Sequence, residues 1–437
     1  MPEIKIDLDT PLRIVIVNKS DSTGGAAVVS RRLMEALRQE GADAVMLVVE
    51  KKTDSPFVVK AASPWLISWK FLTERLRIFI ANGFSKQTLF RIDTGETGLP
   101  LWKHPLIKRA DAVLINWVNQ GMLSLRGVEK IKKSGIPVIW TMHDMWNMTG
   151  ICHHAGNCSN YLNECGNCPL LGKRKSPKDL SNRIWKIKNS VYDSIPSRSP
   201  QFVAVSSWLA DKAKKSKLLG ASEIEVIPNP FPFLPSQADE CRREGKKIIR
   251  IIFGAARIDD PIKGLDDLKK VAEVISSDYP ELAERIEILA FGTIKDKEKL
   301  DGFKLPIRFV GPVQGEEAIK DIYMNGDLVV SASSYETLPG TLVEAQAYGC
   351  IPVSYDRGGQ KDIVSHLLTG YLANYSEIGP ERVRNLAEGI KWAVTIIDNK
   401  EAHENILRQM KHNVREKFSF KNIAIRYLRL IRDMQSI

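Results

Sequence analysis

No stretch of the 437-residue chain approaches the roughly 20 uninterrupted apolar residues needed to cross a bilayer, and the acidic, polar start from Met1 to Thr10 is unlike a secretory signal. These absences argue against a spanning or exported protein, and the expected location is the cytoplasm. No low-complexity tract or short repeat interrupts the sequence, which excludes solenoids and long disordered arms. Cysteine is scarce. Of six residues, Cys152, Cys158, Cys165 and Cys168 fall within seventeen positions, while Cys241 and Cys350 stand apart. In a chain without an export signal such a cluster points to a metal clip before disulfides, because cytosolic reductants keep thiols reduced. No RNP, KH or similar motif signals nucleic-acid binding.

What is present is an ordinary globular composition, 43% hydrophobic and 26% charged, in a chain long enough to bury two cores. The net charge of +11 is uneven. Residues 1–230 hold 33 Lys and Arg against 21 Asp and Glu, and the remainder holds 30 against 31, so the first half carries the whole surplus and faces something anionic.

Leu12–Val17 (LRIVIV) is a β-branched run followed by a polar glycine loop and a helical pattern over Val28–Gln39. Further runs of buried-strand length occur at Ala44–Val49, Ala112–Asn116, Pro137–Thr141 and Gln201–Val205. A second series follows at Ile249–Phe253, Ile286–Phe291, Ile307–Val310, Leu328–Ser331 and Ile351–Ser354. Strands alternating with helices predict parallel sheets covered on both faces, an α/β fold of two Rossmann-like domains. Val226–Pro235 (VIPNPFPFLP), with four prolines, suits a linker. The expected domains are therefore 1–230, with a Cys-rich insertion at 152–168, and 231–437. The final helix, Phe418–Met434, is apolar at 423, 425, 427, 428, 430 and 431 and should pack back on the fold.

Ligands of such folds sit beyond the carboxyl ends of the strands, so the loops there carry the chemistry. Ser331–Val353 (SASSYETLPGTLVEAQAYGCIPV) places Glu336 in a loop and Glu344 eight residues on, inside the next helix. Gly340 and Thr341 lie at that helix start, where backbone amides and the dipole favour phosphate. Glu344 can accept two hydrogen bonds from a ribose diol, and Glu336 can hold sugar hydroxyls.

This segment resembles the E-x7-E signature of retaining family-four glycosyltransferases (glycosyl transferases group 1) of the GT-B fold, in the subgroup that assembles bacterial surface polysaccharides. Asp356–Leu372 resembles the family's glycine turn and closing helix. The resemblance implies two domains facing across a cleft, Glu344 on the ribose and Glu336 on the donor sugar. Phe253–Leu265 (FGAARIDDPIKGL) supplies Arg257 and Lys263, two cations of the kind a diphosphate leaving group needs when no metal neutralises it. Gly24 and Gly25 match the glycines the family carries after the first strand, beside the donor phosphates. His143, in TMHDMW, falls where the family often has an active-site histidine on the acceptor side. Transfer with retention by front-side attack follows from the resemblance, with a donor phosphate oxygen taking the acceptor proton. No D-x-D motif sits in a loop placed to hold a metal, which agrees with catalysis without a cofactor. The implied partners are a UDP- or GDP-linked sugar and a lipid-linked saccharide.

Two segments lie outside that scheme. Cys152–Cys168 ends in a C-x-x-C knuckle, and four thiolates can enclose a structural zinc, with His153 or His154 able to replace one of them. Pro64–Phe90 interleaves aromatic and aliphatic residues with Lys70, Arg75, Arg77 and Lys86. It reads either as an amphipathic helix lying peripherally on the inner face of a membrane, or as a helix packed on its own domain with cations snorkelling outward. Two other functions remain open: a sugar-nucleotide epimerase or phosphorylase of the same fold, and a zinc-stabilised RNA-binding protein, although no nucleic-acid partner is expected.

Overall fold

A computed structural model describes residues 11–193, 201–232, 248–313 and 315–436. Cys241 and the end of the proline-rich stretch, 233–235, lie outside the described residues. The chain divides into two compact units, Met1–Pro230 with Phe420–Ile437, and Phe231–Ser419.

The first unit is built on seven parallel strands: β1 (Arg13–Val17), β2 (Asp43–Val48), β3 (Val58–Lys60), β4 (Ala112–Ile115), β5 (Val138–Met142), β6 (Gln201–Ala204) and β7 (Ile224–Val226). Their order is β3-β2-β1-β4-β5-β6-β7, and every neighbouring pair is parallel. The central strands β4 and β5 are buried along their whole length, which is why they read as continuous apolar runs. Order reverses between β1 and β4, and the loops leaving these two strands diverge at the switch point, where sheets of this kind take their ligands.

The second unit repeats the plan with β8 (Ile249–Arg257), β9 (Ile286–Thr293), β10 (Ile307–Phe309), β11 (Leu328–Ser331), β12 (Ile351–Asp356) and β13 (Tyr371–Asn374), in the order β10-β9-β8-β11-β12-β13. All five pairings are parallel, and the switch lies between β8 and β11.

Five helices matter below: α1 (Gly25–Gln39), α2 (Pro64–Ala81), α3 (Leu180–Asp193), α4 (Gly340–Ala347) and α5 (Phe420–Gln435). The last corrects the expected domain assignment. α5 belongs to the first unit, where Ile423, Tyr427, Leu428 and Ile431 enter the core shared by α1 and β1, and Tyr427 Oη lies 2.9 Å from Thr141 Oγ1. A second difference concerns 356–372. After its glycine turn this segment forms a helix of only four residues, Gln360–Ile363, and then leads into edge strand β13, which was not among the expected strands.

Candidate active site

In the second unit the site grows from the loops after the two switch-point strands. β8 ends at Arg257, and the following turn closes on Gly264 with φ +76, where a Cβ would lie 2.0 Å from the carbonyl oxygen of Ala332. Only glycine fits there, and the turn it permits aims Lys263 at the loop after β11. Lys263 Nζ stands 2.6 Å from Glu336 Oε1. The amide of Ser334 donates to the Ile262 carbonyl at 2.9 Å, tying the two loops together. Arg257 is held at 3.0 Å by Asp260 and faces Asp259 at 3.5 Å.

Glu336 is fixed from its other side by the glycine turn after β12. The Gly359 amide donates to the Glu336 carbonyl at 3.0 Å, and a Cβ on Gly358 would lie 2.2 Å from that same oxygen. Past Pro339, which donates no amide and caps nothing, α4 begins at Gly340 and Thr341, with open space around Gly340. Glu344 lies one turn into α4 and accepts a hydrogen bond from the buried Tyr323 hydroxyl at 2.9 Å. Tyr323 in turn stacks on Tyr348 with ring centres 6.0 Å apart. Two cations, two carboxylates and an uncapped helix start thus share the carboxyl end of one parallel sheet.

In the first unit the expected glycines follow β1, but only one is required by conformation. Gly24 has φ +88 as the residue before α1, whereas Gly25 is the first residue of that helix. Nothing lies within 4 Å of the Cβ position of either, so the loop presents bare backbone to its surroundings. His143 follows β5, and its Nε2 is 2.7 Å from Asn116 Oδ1 after β4. Burial lowers the His143 pKa to about 4, against the opposing pull of Asp144, so the ring is neutral at physiological pH.

Beside it lies a charged cluster that the sequence did not announce. His153 donates from Nδ1 to Asp144 at 2.7 Å and from Nε2 to Asp93 at 2.8 Å. Burial alone would depress the ring's pKa, yet Asp144 and Asp93 raise it to about 10. Asp144, which burial would push up, is held at about 2 by His153 and the Trp146 amide. Trp117 Nε1 also donates to Asp144 at 3.1 Å, and Arg75 pairs with Asp93. His153 is therefore an imidazolium clamped between carboxylates, and with both nitrogens engaged it cannot replace a cysteine as a metal ligand. The only sequence signal for this role was the run of His residues following HDMW.

The four clustered cysteines line one small cavity, of about 20 Å³, with Thr149, Tyr161 and Ser181. All four are unpaired, and burial pushes the thiols of Cys152, Cys165 and Cys168 up to about 11. Among the described residues no three His, Cys, Asp or Glu side chains adopt metal-holding geometry, so the sequence pattern brings the thiols to one cavity without closing them into a centre.

Comparison with known proteins converges on this architecture. The "Glycosyltransferase Family 4" description matches residues 23–232, and "Glycosyl transferases group 1" matches residues 243–413. The chain is 25% identical over 184 residues to a putative colanic acid biosynthesis glycosyl transferase, WcaC of Escherichia coli (strain K12), covering 40% of this chain and 42% of that one. The chain spans about half or less of the length of the curated relatives it matches. Two crystal structures share its fold over almost the full length. Anabaena Alr3699/HepE, solved in complex with UDP, has a TM-score of 0.57 and 14% identity, covering 97% of this chain and 100% of that one. WaaG, a glycosyltransferase involved in lipopolysaccharide biosynthesis, has a TM-score of 0.60 and 11% identity, covering 96% and 99%. With two parallel α/β sheets as expected and the two family descriptions together spanning most of its length, the chain belongs to the group 1 glycosyl transferases, with the GT-B fold.

Proposed function

We propose that the protein transfers a sugar from a nucleotide-diphosphate sugar to a lipid-linked saccharide at a membrane surface, with retention at the anomeric carbon, in the synthesis of a cell-surface polysaccharide. The observation that carries the reading is the Lys263–Glu336 pair at 2.6 Å, next to the uncapped start of α4 and one turn from Glu344. Lys263 is 31% exposed and Glu336 17%, so the pair can be opened from solvent without leaving a charge buried. An arriving diphosphate takes Lys263 and Arg257 together with the amides of Gly340 and Thr341, releasing Glu336 toward the hydroxyls of the transferred sugar. Glu344 keeps one carboxylate oxygen on Tyr323 and turns the other toward the ribose diol.

Charge develops on the leaving diphosphate as the glycosidic bond breaks, and the two cations, drawn from Glu336 and Asp260, supply the stabilisation without a catalytic metal. The acceptor proton passes to a phosphate oxygen, so Glu336 acts as a positioning carboxylate and not as a nucleophile. In the first unit the neutral His143 ring, whose Nε2–H is held by Asn116 Oδ1, accepts at Nδ1 a hydrogen bond from an acceptor hydroxyl, on a floor fixed by the Asp144–His153–Asp93 cluster. The UDP complex of Alr3699/HepE and the involvement of WaaG in lipopolysaccharide biosynthesis support a UDP-linked donor and a lipid-borne acceptor.

The test is turnover of a panel of UDP- and GDP-sugars with membrane lipid extract, in EDTA, reading nucleotide diphosphate release and labelled lipid together. Release that needs lipid and is lost in Glu344→Ala and Arg257→Ala is the expected result. Release without any acceptor, or epimerised donor, assigns the site to the epimerase or phosphorylase alternative. No turnover of any donor, with both variants like the parent, removes the proposal.

A further inference from the structure

Helix α2 has two opposite faces. Toward the protein, Glu74 accepts hydrogen bonds from the Thr94 amide and hydroxyl at 2.8 and 2.7 Å and from Thr97 Oγ1 at 2.5 Å, Arg75 pairs with Asp93, and Ile78 is fully buried. Away from it, Trp65, Trp69, Leu72, Leu76 and Ile80 are 73, 58, 60, 57 and 52% exposed. At helical spacing these five positions fall within an arc of about 80° and run for about 22 Å along the axis. Phe84 and Phe90, just beyond the helix, are 65 and 63% exposed. Single exposed apolar residues are ordinary, but a continuous stripe of this length is an interaction surface.

The surrounding charge selects the occupant. From Ser55 to Gly95 every charged side chain that is not buried is a cation: Lys60, Lys70, Arg77, Lys86 and Arg91. Both carboxylates of the segment, Glu74 and Asp93, are buried and engaged. A second copy of the chain docked on this stripe about a twofold axis would set cation against cation. An anionic bilayer suits both features, since its headgroup boundary takes Trp, Leu and Phe while its phosphates take Lys and Arg. No helix among the described residues is long and apolar enough to cross a membrane, so the contact is one of lying on the surface.

We propose that α2 lies in the interface of an anionic membrane and docks the first unit there through its Trp65–Ile80 stripe. The helix is also part of the wall of the acceptor side. Gly121, with φ +81, brings the loop after β4 so close that a Cβ would lie 2.6 Å from the Lys70 carbonyl oxygen, and Lys19 Nζ sits 5.6 Å from the centre of the Phe71 ring. Arg75 reaches Asp93, which holds His153 against Asp144. Docking through α2 therefore holds the loops it contacts, which lead to His143 and Asn116, at the membrane surface. What those loops do there rests on the transferase reading. The contact itself does not, because it is measured without donor or acceptor.

The full chain is sedimented with vesicles of phosphatidylcholine alone and of phosphatidylcholine mixed with phosphatidylglycerol. Binding to the mixed vesicles at least about tenfold tighter than to neutral ones, and weakened by salt, is expected. Leu72→Glu with Leu76→Glu loses about tenfold or more on mixed vesicles, with unchanged circular dichroism. Arg77→Glu with Lys86→Glu abolishes the preference for anionic lipid. Equal, weak sedimentation with all vesicles overturns the proposal. So does a wild-type dimer that the leucine variant converts to monomer without any effect on lipid, since the stripe is then a contact between copies. Vesicle binding that persists in a protein turning over no sugar nucleotide overturns the proposed function and leaves this inference standing.

Discussion

Replacing His153 with glutamine tests whether a charged imidazole holds the acceptor side together. Its two N–H groups reach Asp144 and Asp93 at 2.7 and 2.8 Å, and its ring pKa stands at about 10 despite a burial that favours the neutral form. In an unfolded chain histidine titrates near 6.5. A group that binds its proton more tightly when folded contributes its full stability below about pH 6.5 and loses it as the pH rises toward about 10. The difference is worth about 5 kcal/mol at most. The wild-type profile alone can look flat, because Lys188 on α3, which donates to the Trp146 and Thr149 carbonyls, opposes it. Burial lowers Lys188 to about 7, so the unfolded chain binds that proton more tightly and stability grows with pH over much of the same window. Comparing wild type with His153→Gln cancels the lysine. Urea unfolding is followed by tryptophan fluorescence, which reports the first unit because eight of the nine tryptophans lie there. The variant should be less stable by about 4 to 5 kcal/mol at about pH 6, with the gap narrowing to about 1 to 2 kcal/mol at about pH 9. An equal gap at both values would mean that folding leaves the ring's proton affinity unchanged, and would refute the reasoning.

Gly264→Ala should cost the second unit about 2 kcal/mol or more, since the αL backbone and the Ala332 carbonyl both reject a Cβ, and thermal unfolding measures it. Glu344→Ala should weaken UDP-sugar binding by about tenfold to a hundredfold by calorimetry, through the loss of a charge-assisted hydrogen bond. Lys263→Met should lower turnover by about a hundredfold or more, with a smaller effect on nucleotide affinity, because its charge is needed most when the diphosphate leaves. For the cysteine cluster we propose that the thiols draw in around their cavity on about one zinc per chain, read by metal analysis. Metal-free protein whose cysteines all titrate together retires that clip.

The parts of the fold legible in the sequence are those in which one residue type must repeat. β4 and β5 are buried on both faces, so they read as unbroken apolar runs, and the loops after β8 and β11 carry their charges at a recognisable spacing. Of the four short edge strands only β10 was read, inside the run Ile307–Val310, and the other three escaped. β3 and β7 have three residues each and β13 has four, too few to show a period, and their pairing is decided by a neighbouring strand. α5 shows how far a pattern reaches: its periodicity demands that one face be buried but does not say in which core, and the α1–β1 core of the first unit takes it. His153 was hidden for a related reason. Its partners Asp144 and Asp93 are 9 and 60 residues away, and only the folded loops bring them to opposite nitrogens of one ring.

The two units place their charges under opposite physical conditions, and this distinguishes a site that binds from a frame that holds. Lys263 and Glu336 are half-buried but keep contact with solvent, and a phosphate that takes Lys263 replaces the charge of its partner. Asp93 is 1% and His153 13% exposed, and breaking a pair so far from water strands a charge at a cost of about 3 to 5 kcal/mol. A ligand cannot recruit those groups without undoing the first unit. The cluster is therefore a fixed support, and the group left to act on its surface is His143, neutral, half-buried beside Asn116, and next in the same loop to Asp144. On this reasoning His143→Ala should remove turnover and leave stability nearly intact, whereas His153→Gln should lose both together.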